Sequence, residues 1–458
     1  MSTRPEMMTL SIAAEVLHGT LVGHDVTFCG VSTDSRNLIT GDLFVALVGP
    51  RFDGHNFLAE AIHGGAAGAL LSRTVETSLP YVRVSDTRLA LGQLAAYWRG
   101  HFGVPVIAVT GSNGKTTVKE MLGAILAGRG SGCVTRGNLN NDIGMPLTLL
   151  GLRRADRYAV LELGMNHVGE IDYLSRLARP TIALITNAGE AHLEGLGSVE
   201  AIARAKGEVF NGLANDGVAV INADDPYCKL WRGLAGAHRI ITFGLEQSAD
   251  ITGSYAPDAR GSRVHLRTPE GDIDMRLPLL GRHNVMNAFA AAAAAGAAGA
   301  SLEQISQGLA HLKAVAGRLE LREGVSGARI IDDTYNANPA SVTAGLQVLR
   351  DFGGERTLVL GDMAELGPAG ADIHRRIGEL ARQLGIQRLY AVGELSRGAV
   401  EAFGKGGRHF ESHEELVDNM LDCLHSDMTV LVKGSRVMRM ERIVNGIVRQ
   451  GAAATQGA

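Results

Sequence analysis

A glycine-rich segment at residues 109–117, VTGSNGKTT, has the residue types of a phosphate-binding loop. It follows an apolar run, VPVIAVT, and precedes a helical pattern, which is the setting that such a loop requires. Gly111 and Gly114 allow the backbone N–H groups to turn inward, and the start of the helix adds partial positive charge. Lys115 can reach the β- and γ-phosphates of a nucleotide, and the hydroxyl of Thr116 suits Mg²⁺. The segment therefore predicts a nucleotide site.

One position of this loop departs from the general P-loop pattern. Val109 stands where that pattern places its first glycine, which favours the subset of ATP-using proteins with the tighter TGxNGKTT form. A glycine-rich turn without any ligand is the alternative. The match in spacing and in flanking elements disfavours that alternative.

Three residues after later apolar runs could bind metal or phosphate. Glu162 lies near the end of YAVLELG, His192 lies in TNAGEAHLEGLGS, and Lys206 lies in AIARAKGEVF. Polar groups at the carboxyl ends of parallel strands converge on the crevice where ligands bind, and a carboxylate oxygen is a suitable Mg²⁺ ligand. His192 is equally consistent with a hydrogen-bonded loop histidine. Lys206, considered alone, has the pattern of a solvated helix lysine.

Further polar residues lie in the second half of the chain. LGRHNVMNAFAAAAA places Asn284 and Asn287 one turn apart at a helix start, where they could read a base edge, bridge loops or cap the helix. Arg318 in AGRLE could reach over a bound phosphate. In IDDTYNANPAS, Asp333 follows a strand and could bind ribose hydroxyls. Asn338, which precedes a proline, is equally typical of a turn that leads into a helix.

The pattern of apolar runs predicts an α/β protein with three domains. Residues 1–84 alternate short strands with turns and a short helix, as a small α/β domain does. Residues 85–316 have the strand–turn–helix spacing of a mostly parallel sheet covered on both faces, with a β excursion near the end. Residues 317–458 repeat buried strands and helices, which predicts a second, Rossmann-like sheet.

Composition disfavours several classes of function. The formal net charge of −4 gives no broad attraction to nucleic acid or to an anionic membrane. The four cysteines form no C-x-x-C pair, so neither a zinc site nor a disulfide framework is expected. The most apolar stretch, residues 287–300, is too short to span a bilayer, and the first residues contain no signal-peptide run. We therefore expect a cytoplasmic protein without a membrane span, and a monomer by default.

As a set, these motifs resemble those of the Mur ligases, the ATP-dependent amide-forming enzymes that build the peptide of peptidoglycan in cell-wall synthesis. TGSNGKTT, LELG, EAHLE, AKGEVF, GRHNVMNAFAA, GRLE and DDTYNANP occur in the family's order over essentially the whole chain. The segment VSTDSRNLITGDLFVALVGPRFDGHNF looks like the UDP-binding domain shared by the branches that add the third and the fourth residue. DDTYNANPAS and GDMAELG, without a DNPR motif, are similar to the branch that adds D-alanyl-D-alanine to UDP-N-acetylmuramoyl-tripeptide.

The resemblance implies a role for each candidate residue. It implies that Lys206 is carbamylated by CO₂ and so becomes a carboxylate-like metal ligand. The implied catalytic residues are Lys115, Lys206, His192 and Arg318, and the implied Mg²⁺ ligands are Thr116, Glu162, His192 and Lys206. The implied ATP-binding residues are Gly111, Ser112, Asn113, Gly114, Lys115, Thr116, Thr117, Asn284, Asn287, Arg318 and Asp333. The implied contacts to the UDP-muramoyl substrate are Ser32, Arg36, Asn138, Asn140 and Asn141.

The reaction implied by the resemblance has two steps. The γ-phosphoryl group of ATP passes to the tripeptide carboxylate, and the amine of D-alanyl-D-alanine then attacks the acyl phosphate and expels phosphate. Because Arg318 and Asp333 belong to the third domain, that domain must close on the central one to complete the site.

Other classes fit the sequence less well. Folylpolyglutamate synthase shares the ATPase core but lacks the UDP-binding domain, so STDSR and GDLFVAL argue against it. A P-loop switch or motor protein would carry an aspartate where the corresponding strand here ends in Glu162. A nucleic-acid-binding protein is disfavoured by the acidic charge and by the lack of a basic stripe.

Overall fold

The computed structural model describes residues 4–190, 196–258, 260–312 and 315–448. It confirms the predicted α/β class, with three large sheets that follow one another along the chain. Most strands of these sheets are buried apolar runs, and helices lie between them in sequence. Each sheet therefore buries its apolar surface against helices, as expected for α/β domains.

The first domain contains a five-stranded sheet in the order β2-β9-β8-β5-β4, in which β2 is an antiparallel edge strand and the other pairs are parallel. The predicted short helix, α2, ends at His63, just before Gly64. The strands are β1 Met8–Thr9, β2 Thr20–Val22, β3 Thr27–Phe28, β4 Gly30–Ser32, β5 Asp42–Val45, β6 Val48–Gly49, β7 Phe52–Asp53, β8 Gly68–Leu71 and β9 Tyr81–Arg83, and the helices are α1 Leu10–Val16 and α2 Leu58–His63.

Helix α3, Thr87–Arg99, leads from the first sheet to the central one. The carboxylate of Asp86 accepts hydrogen bonds from the backbone N–H groups of Arg88 and Leu89, at 2.7 and 3.0 Å. Asp86 is therefore the N-cap of α3, and it satisfies two donors that the first helical turn would otherwise leave open.

The central sheet is parallel throughout, in the order β11-β12-β10-β13-β14-β15. The strand that precedes the glycine-rich loop, β10, lies inside this sheet, so the loop emerges at a carboxyl edge flanked on both sides. The strands are β10 Val106–Thr110, β11 Cys133–Val134, β12 Ala159–Glu162, β13 Ile182–Ile185, β14 Val218–Asn222 and β15 Arg239–Phe243. The helices are α4 Lys115–Leu126, α5 Gly144–Leu150, α6 Glu170–Ala178, α7 Val199–Gly207 and α8 Cys228–Ala235.

The predicted β excursion is an antiparallel sheet of three strands, β16 Thr252–Asp258, β17 Gly261–Thr268 and β18 Gly271–Leu277. Helices α9, Arg282–Ala297, and α10, Leu302–Ala310, follow it. The alanine-rich part of α9 is buried and packs against α4, the helix that begins at the glycine-rich loop. Its small side chains allow this close approach.

The third domain contains a six-stranded sheet in the order β19-β20-β24-β21-β22-β23. Its edge strand β19 is antiparallel, and the other pairs are parallel, as in a Rossmann-like sheet. The strands are β19 Glu320–Glu323, β20 Arg329–Asp333, β21 Glu355–Gly361, β22 Arg388–Val392, β23 Gly407–Phe410 and β24 Met428–Lys433. The helices are α11 Pro339–Arg350, α12 Gly370–Gln383, α13 Ser396–Phe403, α14 His413–Cys423 and α15 Glu441–Ile447.

The predicted domain boundaries fall in connections between elements. The boundary after residue 84 lies between β9 and α3, and the boundary after residue 316 lies between α10 and β19. The boundaries themselves stay a prediction. Within the described ranges, the cysteines are free, and no helix is both long and apolar enough to cross a membrane.

Candidate active site

The glycine-rich loop has a backbone shape that glycine alone accommodates at two positions. Gly111 has φ +149°, and a Cβ atom there would lie 1.8 Å from the hydroxyl oxygen of Thr186. Gly114 has φ +84°, and a Cβ atom there would lie 2.3 Å from the side-chain oxygen of Asn287. The loop therefore packs closely against Thr186, just after β13, on one side and against Asn287 of helix α9 on the other. Each of these contacts requires a glycine in the loop.

Residues that follow β13 hold the other side of the loop. The backbone N–H of Ser112 donates to the carbonyl of Asn187 at 3.0 Å, and that of Asn113 donates to the Asn187 side-chain oxygen at 2.9 Å. The hydroxyl of Thr186 donates to the carbonyl of Asn113 at 2.6 Å. Thr186 and Asn187 are not among the residues predicted from the sequence, although they directly follow the apolar run of β13, at a carboxyl strand end where ligands bind.

Lys115 points back over the loop that precedes it. Its ammonium donates to the carbonyl of Gly111 at 2.6 Å. Burial lowers the pKa of Lys115, the carboxylate of Glu162 opposes this effect, and the positive charge of Arg318 adds to it. The three charged groups therefore face one small region, which is where a phosphate held by the loop would lie.

Glu162 is buried at the end of β12, with 3% of its surface exposed. Its Oε1 accepts a hydrogen bond of 2.9 Å from the side-chain amide of Asn140. Its Oε2 is buried and has no hydrogen-bond partner among the described residues. A buried carboxylate oxygen without a partner is costly, and a hard cation such as Mg²⁺ would satisfy it. The donor therefore fits the predicted metal.

Lys206 lies on α7 and is buried, with 2% of its surface exposed. The description of Lys206 as a solvated helix lysine is therefore wrong. Burial lowers the pKa of Lys206 well below its usual range, and the nearby charge of Lys115 lowers it further. His192, a further predicted metal ligand, lies outside the described residues.

Among the described residues, no three His, Cys, Asp or Glu side chains meet as a metal cluster. The predicted ligand set does not require one, because it combines the Thr116 hydroxyl, the Glu162 carboxylate and a modified lysine with a single histidine. Thr116 and Glu162 line the same cleft.

Asn284 and Asn287 form a short hydrogen-bonded chain. The amide of Asn284 donates to the carbonyl of Leu280 at 2.8 Å, and the amide of Asn287 donates to Asn284 Oδ1 at 3.1 Å. Helix α9 begins after Gly281 without a side-chain cap. Neither asparagine therefore caps the helix. The side-chain oxygen of Asn287, at the end of this chain, instead packs against Gly114 of the glycine-rich loop.

Arg318 contacts the first turn after the glycine-rich loop from the third domain, and Asp333 lines the same cleft. The guanidinium of Arg318 donates to the hydroxyl of Thr116 at 3.0 Å and lies 4.2 Å from the ring centre of Tyr335. Asp333 ends β20 and pairs at 2.6 Å with the ammonium of Lys433, which ends the neighbouring strand β24. Burial raises the pKa of Asp333, although Lys433 opposes that effect.

Asn338 has two separate contacts. Its Oδ1 accepts from the backbone N–H of Ser341 at 2.9 Å and caps helix α11, which confirms the turn expected before Pro339. Its amide donates to the side-chain oxygen of Asn113 in the glycine-rich loop at 2.8 Å. One asparagine thus begins a helix of the third domain and contacts the central domain.

These residues surround a cleft of about 770 Å³ between the central and third domains. A cleft of this size fits a nucleotide with part of a second substrate. It is lined, among others, by Ser112, Asn113, Gly114, Lys115, Thr116, Thr117, Asn138, Asn140, Glu162, Asn284, Asn287, Arg318, Asp333 and Asn338.

Three of the predicted substrate contacts lie apart from the cleft lining. Ser32 and Arg36 both contact Asp34 in the first domain. The hydroxyl of Ser32 donates to the carbonyl of Asp34, and the exposed Arg36 pairs with the Asp34 carboxylate at 2.8 Å. Asn141 accepts from the backbone N–H of Gly144 at 2.9 Å and so supports the start of α5. Their predicted roles stay predictions.

Comparison with known proteins agrees with this arrangement. Residues 109–295 match the Mur ligase middle domain, and residues 317–436 match the family model described as the Mur ligase, glutamate ligase domain. The chain is 45% identical to UDP-N-acetylmuramoyl-tripeptide–D-alanyl-D-alanine ligase of Escherichia coli over 448 residues, covering 97% of this chain and 99% of that one.

Solved structures extend the likeness to the whole fold. A crystal structure of MurF from Acinetobacter baumannii superposes with a TM-score of 0.92 at 38% identity, covering 97% of this chain and 99% of that one. MurF ligase from Thermotoga maritima in complex with ADP superposes with a TM-score of 0.82 at 29% identity, covering 91% and 96%. The chain therefore belongs to the Mur ligase family, in its MurF branch.

Proposed function

We propose that this chain is an ATP-dependent, Mg²⁺-requiring ligase that joins D-alanyl-D-alanine to the peptide carboxylate of UDP-N-acetylmuramoyl-tripeptide. The product would be the UDP-linked pentapeptide used in peptidoglycan synthesis. The observation that carries this proposal is the convergence of Lys115, Thr116, Glu162 and Arg318 on one cleft, in a chain that matches ligases of this name from end to end.

The first chemical demand is to bring two anions together. The tripeptide carboxylate must approach the γ-phosphate of ATP closely enough to accept the phosphoryl group, so the site must offset their repulsion. Lys115 and Arg318 place two cations beside the loop. The backbone N–H groups at the start of α4 add partial positive charge toward the same point. These groups act by position and charge, and no side-chain nucleophile is required.

Mg²⁺, when bound, neutralises phosphate charge and polarises the transferred phosphoryl group. The residues that would hold it are Thr116, Glu162, His192 and Lys206. The unpartnered Oε2 of Glu162 supports this assignment. Thr116 contributes a hydroxyl oxygen of the type that binds this ion in phosphate loops.

Lys206 would join the metal site as a carbamate. The neutral amine attacks CO₂, a C–N bond forms, and one proton is released, which leaves a carboxylate-like group on the side chain. Burial of Nζ favours the neutral amine over the ammonium. The change from a buried cation to a metal-binding anion explains why a lysine is useful at a site that faces Lys115.

The amide bond forms in the second step. The amine of D-alanyl-D-alanine attacks the acyl phosphate, and the tetrahedral intermediate expels inorganic phosphate. Water would destroy the acyl phosphate, so the third domain must cover the cleft during the reaction. Arg318 and Asn338 are suited to this task because each contacts the glycine-rich loop from that domain.

The first domain would bind the UDP portion of the acceptor, through the segment that contains Ser32 and Arg36. Asp333 would bind the ribose of ATP, with Asn284 and Asn287 near the nucleotide. A cytoplasmic location and a monomeric state remain predictions from the sequence.

A phosphate-release assay with each substrate omitted in turn tests the proposal. We expect release that requires ATP, UDP-N-acetylmuramoyl-tripeptide and D-alanyl-D-alanine together. Turnover supported by a single amino acid in place of the dipeptide would reject the assignment to this branch. Release that needs neither acceptor nor dipeptide would indicate a simple ATPase.

A further inference from the structure

Asn140 is one of the residues for which the resemblance implies a contact to the UDP-muramoyl substrate, yet its amide points to a predicted metal ligand. Its Nδ2 donates to Oε1 of Glu162 at 2.9 Å. The other oxygen of that carboxylate, Oε2, is buried and has no partner among the described residues. One oxygen of Glu162 is therefore fixed by the protein, and the other remains available to a cation.

The backbone around Asn140 is built to hold this amide in place. The carbonyl of Asn140 accepts from the N–H of Gly164 at 2.9 Å, just after β12. A Cβ atom at position 164 would lie 2.9 Å from the Cγ atom of Asn140. The Asn140 side chain therefore packs directly over a glycine in the LELG motif, and any side chain there would displace the amide.

The base of the same loop is fastened by a buried lysine. Nζ of Lys119, which is 1% exposed, donates to the carbonyl of Thr135 at 2.9 Å. The hydroxyl of Thr135 in turn accepts from the backbone N–H of Glu162 at 3.0 Å. Lys119 lies one helical turn after Lys115, so the phosphate-binding helix is connected through Thr135 to the backbone of the predicted metal ligand.

We infer that Asn140 is a positioning residue for Glu162: it holds one carboxylate oxygen so that the other faces the metal, and Gly164 provides the space that this requires. The inference rests on the proposed function, because it assumes that Glu162 binds Mg²⁺. Groups that orient a metal ligand typically change metal affinity by about 10- to 100-fold when removed.

This role differs from the substrate contact expected for Asn140. A substrate contact would change the KM for the UDP-muramoyl peptide and leave metal affinity intact. A positioning role would change metal affinity even when the UDP-muramoyl peptide is absent. The two roles are therefore separable by a binding measurement that contains no acceptor.

The test is Mn²⁺ binding, followed by electron paramagnetic resonance, to the full-length protein with a non-hydrolysable ATP analogue. Asn140→Leu keeps the branched shape of the side chain but cannot donate. Gly164→Ala leaves Asn140 in the chain but displaces its amide. We expect each variant to bind Mn²⁺ at least about tenfold more weakly than the wild type, and the double variant to be no weaker than the single ones.

Asp142→Ala is the matched control, because Asp142 lies in the same loop and forms an ion pair with Arg88. It should leave Mn²⁺ affinity unchanged. Binding of ADP in the presence of EDTA should be the same in all variants, which separates metal binding from damage to the nucleotide site.

Two outcomes would overturn the inference. Wild-type Mn²⁺ affinity in Asn140→Leu, with a raised KM for the UDP-muramoyl peptide, would assign Asn140 to the substrate alone. A wild-type protein that binds no Mn²⁺ with the analogue would reject both the inference and the metal role proposed for Glu162.

Discussion

The guanidinium of Arg318 donates a hydrogen bond of 3.0 Å to the hydroxyl of Thr116, a residue 202 positions earlier in the chain. The contact joins the start of the third domain to the first turn of the helix that follows the glycine-rich loop. Because Arg318 also faces Lys115, the third domain contributes a cation to the phosphate site only when it lies against the central domain.

The first prediction concerns the shape of this cation. Arg318→Lys keeps the charge but loses the planar fork that can contact a phosphate and Thr116 together. We expect kcat to fall by about 10²-fold, as when a donor to a developing negative charge is removed. Steady-state kinetics at saturating substrates measure the effect, and the thermal midpoint serves as the control for folding. A kcat within twofold of wild type would exclude Arg318 from the reaction.

The second prediction separates the two contacts of Asn338. Asn338→Ser keeps a helix cap but is too short to reach Asn113, whereas Asn338→Ala loses both contacts. Asn338→Ala should therefore lower the free energy of unfolding by about 1 kcal/mol, and Asn338→Ser should not. Both variants should raise the KM for ATP to a similar extent. Equal KM values in Asn338→Ser and wild type would show that the contact with the loop has no effect on ATP use.

The third prediction concerns the buried pair of Lys433 and Asp333. Lys433→Met leaves the Asp333 carboxylate buried without its cation, which typically costs about 3–5 kcal/mol of stability. We expect Asp333→Asn in the same chain to recover much of this loss, because the amide needs no counter-ion. Urea denaturation of the single and double variants measures the coupling. If the losses in free energy of unfolding of the two single variants simply add in the double variant, the proposed coupling between Lys433 and Asp333 is wrong.

The fourth prediction concerns pH. Burial, together with the charge of Lys433, lowers the pKa of His283 from 6.5 to about 4. The unfolded chain therefore binds a proton at this site more readily than the folded chain, and stability falls as pH drops from about 6.5 toward 4. Between pH 7.5 and 5.5, His283→Gln should lose about 1 kcal/mol less than wild type. Identical pH dependence in urea denaturation would reject this account.

The fifth prediction concerns Lys206. Lys206→Ala should lose most activity yet bind ADP in the presence of EDTA as the wild type does, because the lysine is absent from the described lining of the nucleotide cleft. Small carboxylates added to this variant should restore part of the activity by replacing the carbamate. Near-wild-type turnover in Lys206→Ala would reject the carbamate role.

Much of this architecture could be predicted from the sequence. The glycine-rich loop and the strand end at Glu162 are local features, and each is predicted from residues within a few positions of it. Local chemistry of this kind leaves a clear pattern in the chain because neighbouring residues are also neighbours in space.

The remaining contacts depend on pairing between distant segments. Lys433 meets Asp333 only because β24 lies beside β20, and nothing near either residue indicates that strand order. Lys206 is a different case: Ile202 and Ala203, one helical turn before it, are apolar and buried, so the helical spacing of the sequence already indicated a buried face. The contact between the amide of Asn140 and Glu162 depends on how the loop around Asn140 is held. That loop packs against Gly164, and the carbonyl of Thr135 at its base accepts a hydrogen bond from Lys119.

The close packing of Gly111 against Thr186, with the hydrogen bonds from Ser112 and Asn113 to Asn187, has a thermodynamic consequence. These contacts fix the loop through the protein's own groups, so little conformational entropy should remain to be lost there on nucleotide binding. Most of the conformational entropy lost during the reaction is therefore expected to be lost when the third domain closes on the central domain. Calorimetry should therefore assign most of the unfavourable conformational entropy to closure of the third domain and little of it to nucleotide binding by the glycine-rich loop.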